Sequence, residues 1–153
     1  MLSDGDHVRN LLGEYCWRID AGDFDGVGEL FAHGSLADDA GRPLATGADA
    51  VAEFYRGGTQ IHGTTPATKH VVADTVLEEG DPTAAGDPRM IARSSYVVFQ
   101  ATGDSPLRPI IAGRYVDTFE QVAGRWRFAE RRFIVDLVAD LSEHLTFLLP
   151  GSD

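Results

Sequence analysis

The sequence predicts an α+β fold, and two observations predict it. Apolar residues recur at helical spacing through roughly the first third of the chain, and from His70 onward the period changes to two. Helices that are followed by consecutive long strands imply an antiparallel, strongly bent sheet with the helices packed across one face. Such a sheet leaves room for a pocket between its concave face and the helices.

The elements follow in order. Val8, Leu11, Leu12, Tyr15 and Ile19 form an inward stripe on a helix predicted over 6–20, which Gly22 stops. Asp23 is placed to cap a short second helix carrying Val27, Leu30 and Phe31, and a third helix over 48–55 offers Val51, Phe54 and Tyr55 after Gly47. Strands are predicted over 69–78, 89–101, 109–120 and 125–136, with loops rich in Gly, Pro and Asp between them and a turn at Ala123-Gly124. These strands are apolar on both alternations, for instance Ile111, Tyr115 and Phe119 against Ile110, Ala112 and Val116, which predicts a homodimer through the convex face.

The bulk properties exclude several functions. At 153 residues the chain reads as a single domain, residues 1–153, able to bury roughly 70% of its unfolded surface. A formal charge of −11 argues against nucleic acid and against an anionic membrane, since both require a basic face, so the expected ligand is a small, hydrophobic, neutral or weakly charged molecule. No apolar run approaches the ~20 residues of a spanning helix, the N-terminus lacks the pattern of a signal peptide, and the single cysteine, Cys16, has no internal partner; a cytoplasmic protein is expected. His7, His33, His62 and His144 are scattered without metal-ligand spacing, and there is no nucleophile elbow, phosphate loop or dinucleotide fingerprint. Neither metal nor cofactor is expected.

A few side chains are suited to chemistry. Asp20 stands at the C-terminal end of the first helix, where the helix dipole disfavours a carboxylate and a partner is called for. His70 begins a strand on which Val72, Asp74 and Val76 share its face; a lone histidine there is either a satisfied core residue or a proton-transfer group near neutral pH. If Asp20 accepts from one ring N–H of His70, the other nitrogen is free to take a substrate proton. Tyr15, Tyr55 and Tyr96 are alternative sources of a pocket hydroxyl, and Trp17 is a further candidate for contact with substrate. Arg114 and Asp117 read as partners in cross-strand salt bridges. Strict alternation puts Trp126, Phe128, Glu130 and Arg132 on one face, whereas a bulge would exchange Arg131 for Arg132, so one of these two arginines reaches the pocket to hold a carbonyl or enolate oxygen.

Three stretches carry a family resemblance: Ile19-Asp20-Ala21-Gly22-Asp23-Phe24-Asp25, Thr68-Lys69-His70-Val71-Val72, and the paired run from Gly113 to Glu120 and from Arg125 to Arg131. Together they resemble the SnoaL-like, scytalone dehydratase-like branch of the nuclear transport factor 2 superfamily. The resemblance implies a cone enclosing a pocket, with Asp20 and His70 as catalytic acid–base groups and Tyr15 lining the pocket beside them. It also implies cofactor-independent dehydratase, isomerase or polyketide cyclase chemistry on a hydrophobic cyclic carbonyl compound. The same cone serves non-catalytic ligand-binding proteins and dioxygenase small subunits, which is the alternative. The later strand, Arg93-Ser94-Ser95-Tyr96-Val97-Val98-Phe99, lacks the second catalytic histidine of scytalone dehydratase.

Overall fold

Helix α1 (Asp4–Asp20) starts two residues before the predicted bound because Ser3 caps it: the Ser3 hydroxyl accepts from the Asp6 N–H, and the Asp6 carboxylate accepts from the Ser3 N–H. The computed structural model describes residues 1–149. Val8, Leu12, Tyr15 and Ile19 are buried as the stripe requires. The helix ends in a Schellman motif, Asp23 N–H to Arg18 O and Gly22 N–H to Ile19 O, with Gly22 at φ +74°. A Cβ on Gly22 would lie 3.1 Å from the Thr64 carbonyl oxygen, so glycine also lets the loop leading to the strand of His70 approach the end of α1.

Asp23 caps α2 (Phe24–Leu30) through the Gly26 N–H, and α3 (Ala48–Gly58) packs against it at Gly28, where a Cβ would meet the Ala48 carbonyl oxygen at 2.4 Å. Between them lie two strands that the sequence pattern did not predict, β1 (Ser35–Ala37) and β2 (Pro43–Thr46), too short to show a period. The four long strands are β3 (Thr68–Gly80), β4 (Arg89–Gln100), β5 (Arg108–Val122) and β6 (Arg125–Val138). The sheet runs β2-β1-β6-β5-β4-β3 and is antiparallel except that β1 pairs parallel to β6, with Leu36 opposite Arg131. Ala123 and Gly124 join β5 to β6 with positive φ at both positions, the two-residue hairpin geometry that matches strand twist.

Two irregularities decide which side chains point inward. In β6 the register passes from Thr118 opposite Glu130 to Phe119 opposite Phe128, leaving Ala129 extra, so Phe128 and Arg131 both face the interior and Arg132 faces out. In β3 a shift between Ala73 and Val76, with Asp74 at φ +53°, breaks the alternation expected after Val72. Val76 is therefore half-exposed, and Thr75 turns to bond the buried Ser94. The larger core cluster packs α1, α2 and α3 against Phe119 and Phe128, and a smaller one gathers Tyr96, Val98, Ile110 and Tyr115. Among the described residues no helix is long and apolar enough to cross a membrane.

Candidate active site

The last turn of α1 delivers Asp20 to the first residues of β3, and its carboxylate accepts three hydrogen bonds there. The donors are the Thr68 hydroxyl (2.9 Å), the His70 backbone N–H (2.9 Å) and the His70 ring Nδ1–H (2.6 Å). Both side chains are largely buried, at 7% exposure for His70 and 14% for Asp20. Burial pushes the Asp20 carboxyl up, but the bonds and charge of His70 and the bond from Thr68 outweigh it and hold the group below the usual carboxylate range. These donors offset the unfavourable charge at the helix end. With Nδ1–H committed to Asp20, the tautomer leaves the Nε2 lone pair for a proton.

Tyr15 lies five residues earlier on the same helix and sets its ring edge-on to His70, centroids 6.3 Å apart. Its hydroxyl hydrogen-bonds that of Tyr55 at 2.5 Å. The guanidinium of Arg131 lies over the Tyr15 ring, 4.1 Å from the centroid, and over the Tyr115 ring at 3.7 Å. Tyr96 stacks on Tyr115 at 4.2 Å. Burial raises all four tyrosines, Tyr96 to about 12, so at neutral pH each is a hydrogen-bond donor and none a base.

Arg131 and Asp117 are completely buried and joined by a two-pronged pair, Nε to Oδ1 at 2.8 Å and Nη2 to Oδ2 at 2.9 Å. Burial works against the charge on Arg131, but Asp117 and the two flanking tyrosines outweigh it and the guanidinium stays protonated. Its third nitrogen, Nη1, is buried and has no hydrogen-bond partner among the described residues.

The sequence-predicted residues thus separate into two groups. Asp20, His70, Tyr15, Tyr55, Tyr96 and Arg131 converge behind the concave sheet face. Arg132 does not join them: it lies on the outer face, pairs with Glu130 at 3.1 Å and packs beneath Gly41, because the Ala129 bulge turns Arg131 inward in its place. Trp17 is 72% exposed, since two residues along a helix place it about 200° round from Tyr15. Asp117 pairs with the buried Arg131, while Arg114 forms its exposed pair with Asp136. Two site residues went unrecognised. Thr68 was readable, two positions before His70 on one strand face, and Tyr115 was readable by alternation with Asp117. Among the described residues no group of three His, Cys, Asp or Glu side chains could hold a metal ion.

A family profile for the SnoaL-like domain matches residues 1–132. The chain belongs to the SnoaL-like family. Solved structures similar to this SnoaL-like protein include a function-unknown protein from Mycobacterium tuberculosis, Rv3472, 25% identical, with TM-score 0.67 over 89% of this chain and 78% of that one. An NTF2-like protein with a cystatin-like fold from Novosphingobium aromaticivorans is 24% identical, with TM-score 0.69 and coverage of 86% and 81%. A candidate scytalone dehydratase from the same organism is 19% identical, with TM-score 0.65 and coverage of 88% and 85%. These likenesses place the fold among NTF2-like cones, as the residues had implied. No curated protein matches the sequence.

Proposed function

We propose that this SnoaL-like protein is a cofactor-independent acid–base enzyme of the dehydratase, isomerase or cyclase type, acting on a hydrophobic cyclic carbonyl compound. One observation carries the reading: a histidine whose tautomer is held by a buried carboxylate shares an interior with a buried cation whose Nη1 has no hydrogen-bond partner among the described residues. His70 Nε2 removes a proton from the carbon α to the carbonyl, the C–H electrons form the enolate C=C, and the carbonyl π pair moves onto oxygen. Arg131 and the Tyr15 hydroxyl donate to that oxygen. The imidazolium then returns its proton to a different carbon, giving an isomer, or to a leaving hydroxyl, giving water and an enone. The similarity in fold to a candidate scytalone dehydratase agrees with this class.

The test needs no knowledge of the natural substrate. Exchange of α-protons of 2-tetralone in D2O, followed by NMR, should be accelerated by the protein and fall by about 10²-fold or more in His70→Gln. Equal exchange in the two proteins would rule the reading out. A second reading is favoured by the filled centre of the cone, where Arg131, Tyr15 and Tyr115 are almost wholly buried: a non-catalytic ligand-binding protein or a scaffold like a dioxygenase small subunit. It requires no acceleration at all, and in the scaffold case recovery in a hetero-oligomer. For the homodimer, support comes from the row Val71, Val97, Ala112 and Leu137, which faces each other across four adjacent strands, with Val71 and Leu137 exposed.

A further inference from the structure

After β6 the chain does not leave the molecule. Residues 141–146 cross back over the end of the sheet where β3 begins and β4 finishes. The Gln60 amide donates to the carbonyls of Ser142 (2.7 Å) and Leu145 (2.6 Å), and the Gln100 amide reaches the Glu143 carbonyl at 3.0 Å. His62 Nε2–H donates to that same carbonyl at 2.6 Å, Arg108 pairs with the Glu143 carboxylate at 2.6 Å, and the Thr146 hydroxyl bonds Gly57 O at 2.7 Å. Most of these bonds are part-buried, and backbone bonds from the Gln60 N–H to His144 O (2.8 Å) and from the Thr146 N–H to Gly58 O (3.1 Å) add to them, so the strap is held by polar bonds with little apolar packing. Only Leu141 packs against the smaller core cluster, while Phe147 and Leu148 remain exposed and a cavity of about 370 Å³ separates the tail from the end of β6. Segments secured in this way lie at the low end of local stability and can open without global unfolding.

The strap carries His144 inward. Its Nδ1 is buried and has no hydrogen-bond partner among the described residues, an arrangement that costs stability unless something occupies the position in use. The charges that act on His144 are those of His70 and Asp20, from β3 and α1, and of His62, from the loop after α3. Burial first, and then the charge of His70, push its imidazole down to about 4, so it is neutral at physiological pH and its N–H can serve as a donor. Sheet register gives the order of the groups. Asp117 and Arg131 lie level with Ala92 of β4, Tyr115 with Ser94, His70 with Val98, and the strap is tied to Gln100. His70 therefore stands between Arg131 and His144.

We propose that His144 is a further ligand-contacting residue, carried over the site by a detachable strap, and that it hydrogen-bonds a second oxygen of the substrate on the side of His70 away from Arg131. The inference rests on the acid–base reading above and narrows its substrate to cyclic carbonyl compounds bearing a second oxygen function, with the reacting C–H between the two. The unpaired edges of Arg131 and His144 then have one oxygen each.

The experiment uses the full chain with histidine labelled for NMR and two stable bicyclic probes: 4-hydroxycoumarin, whose two oxygens flank a C–H, and coumarin, which lacks the second oxygen. With 4-hydroxycoumarin the ring resonances of both His70 and His144 should shift, and amide exchange in residues 144–146 should slow. Coumarin should shift His70 alone. His144→Phe should weaken 4-hydroxycoumarin binding by about tenfold, the usual worth of one hydrogen bond to a charged group, and leave coumarin unchanged; His144→Asn, which keeps a donor, should recover part of the loss. Equal affinity of wild type and both variants for 4-hydroxycoumarin, with His70 still responding, would overturn the role of His144 and leave the acid–base reading standing. No response of His70 to either probe would overturn both.

Discussion

Two ion pairs of nearly the same geometry make a controlled experiment within this one protein. Arg131–Asp117 and Arg114–Asp136 are both two-pronged, with all four N···O distances between 2.8 and 2.9 Å. They differ in burial: the first is 0% exposed at both side chains, the second 57% and 42%. Removing Asp117 leaves a buried guanidinium against the Tyr15 and Tyr115 rings with no counter-charge, for which the expected loss is about 3–5 kcal/mol. For a chain of this size that corresponds to a fall in Tm of roughly 10 °C or more. Removing Asp136 exposes an already solvated arginine and should cost at most about 1 kcal/mol. Urea unfolding of Asp117→Ala and Asp136→Ala measures both on one scale. The double variant Asp117→Leu/Arg131→Met should recover much of the Asp117→Ala loss, because it removes the orphaned charge. Comparable losses in the two single variants, or a double variant no better than Asp117→Ala, would show that bond geometry and not desolvation sets the value of these pairs.

Other expectations concern the site and the assembly. Asp20→Asn and His70→Gln should each slow α-proton exchange of 2-tetralone by about 10²-fold or more, and the double variant should lose little beyond the worse single one, as for groups acting as a unit. The depressed His144 makes stability pH-dependent: its neutral form is favoured in the fold, so its contribution is complete above about 6.5 and is lost as pH falls from there through about 4. Unfolding free energies from urea titrations between pH 7 and 4 should decline by an amount on the order of 3 kcal/mol, and His144→Asn should flatten that decline. Asp20, held low, adds its loss only in more acid solution, below the ordinary carboxylate range. Leu137→Glu on the convex face should convert a dimer to a monomer in sedimentation at micromolar concentration; a wild-type monomer would refute that interface.

The fold was readable because its long elements repeat. The stripe from Val8 to Ile19 and the alternation of four strands recur often enough for period to identify them, and Gly22, Asp23 and Ala123-Gly124 punctuate them by backbone preference alone. What escaped has no period to read. β1 and β2 have 3 and 4 residues, and whether β1 runs parallel to β6 depends on a tertiary contact between Leu36 and Arg131. Trp17 and Arg132 lie away from the pocket for opposite reasons. For Trp17 the helical angle from Tyr15 already excludes it, while for Arg132 the single extra residue Ala129 reverses the side of everything that follows in the strand.

That single residue links local backbone to function. Without the bulge Arg132 would face inward and Arg131 outward, so the cone would lose the cation that meets Asp117 from β5 and lies over Tyr15 from α1 and Tyr115. Arg131 thereby ties the first helix to the middle of the sheet. Tyr15 connects it in turn to His70, whose ring is anchored by the carboxylate five residues further along the same helix. The polar interior is consequently one connected set and not two accidents of burial: α1 positions His70 through Asp20 and Arg131 through Tyr15, and β6 completes the set only because it is irregular. Deleting Ala129 tests this, because it takes out the extra residue and leaves Phe128, Glu130 and Arg131 opposite Phe119, Thr118 and Asp117 in strict alternation, with Arg131 still inward. The deletion should therefore fold and keep α-proton exchange, whereas Arg131→Met, which leaves Asp117 buried without its cation, should lose both stability and exchange. Loss of exchange in a folded Ala129 deletion would show that the register of β6 does not control the site.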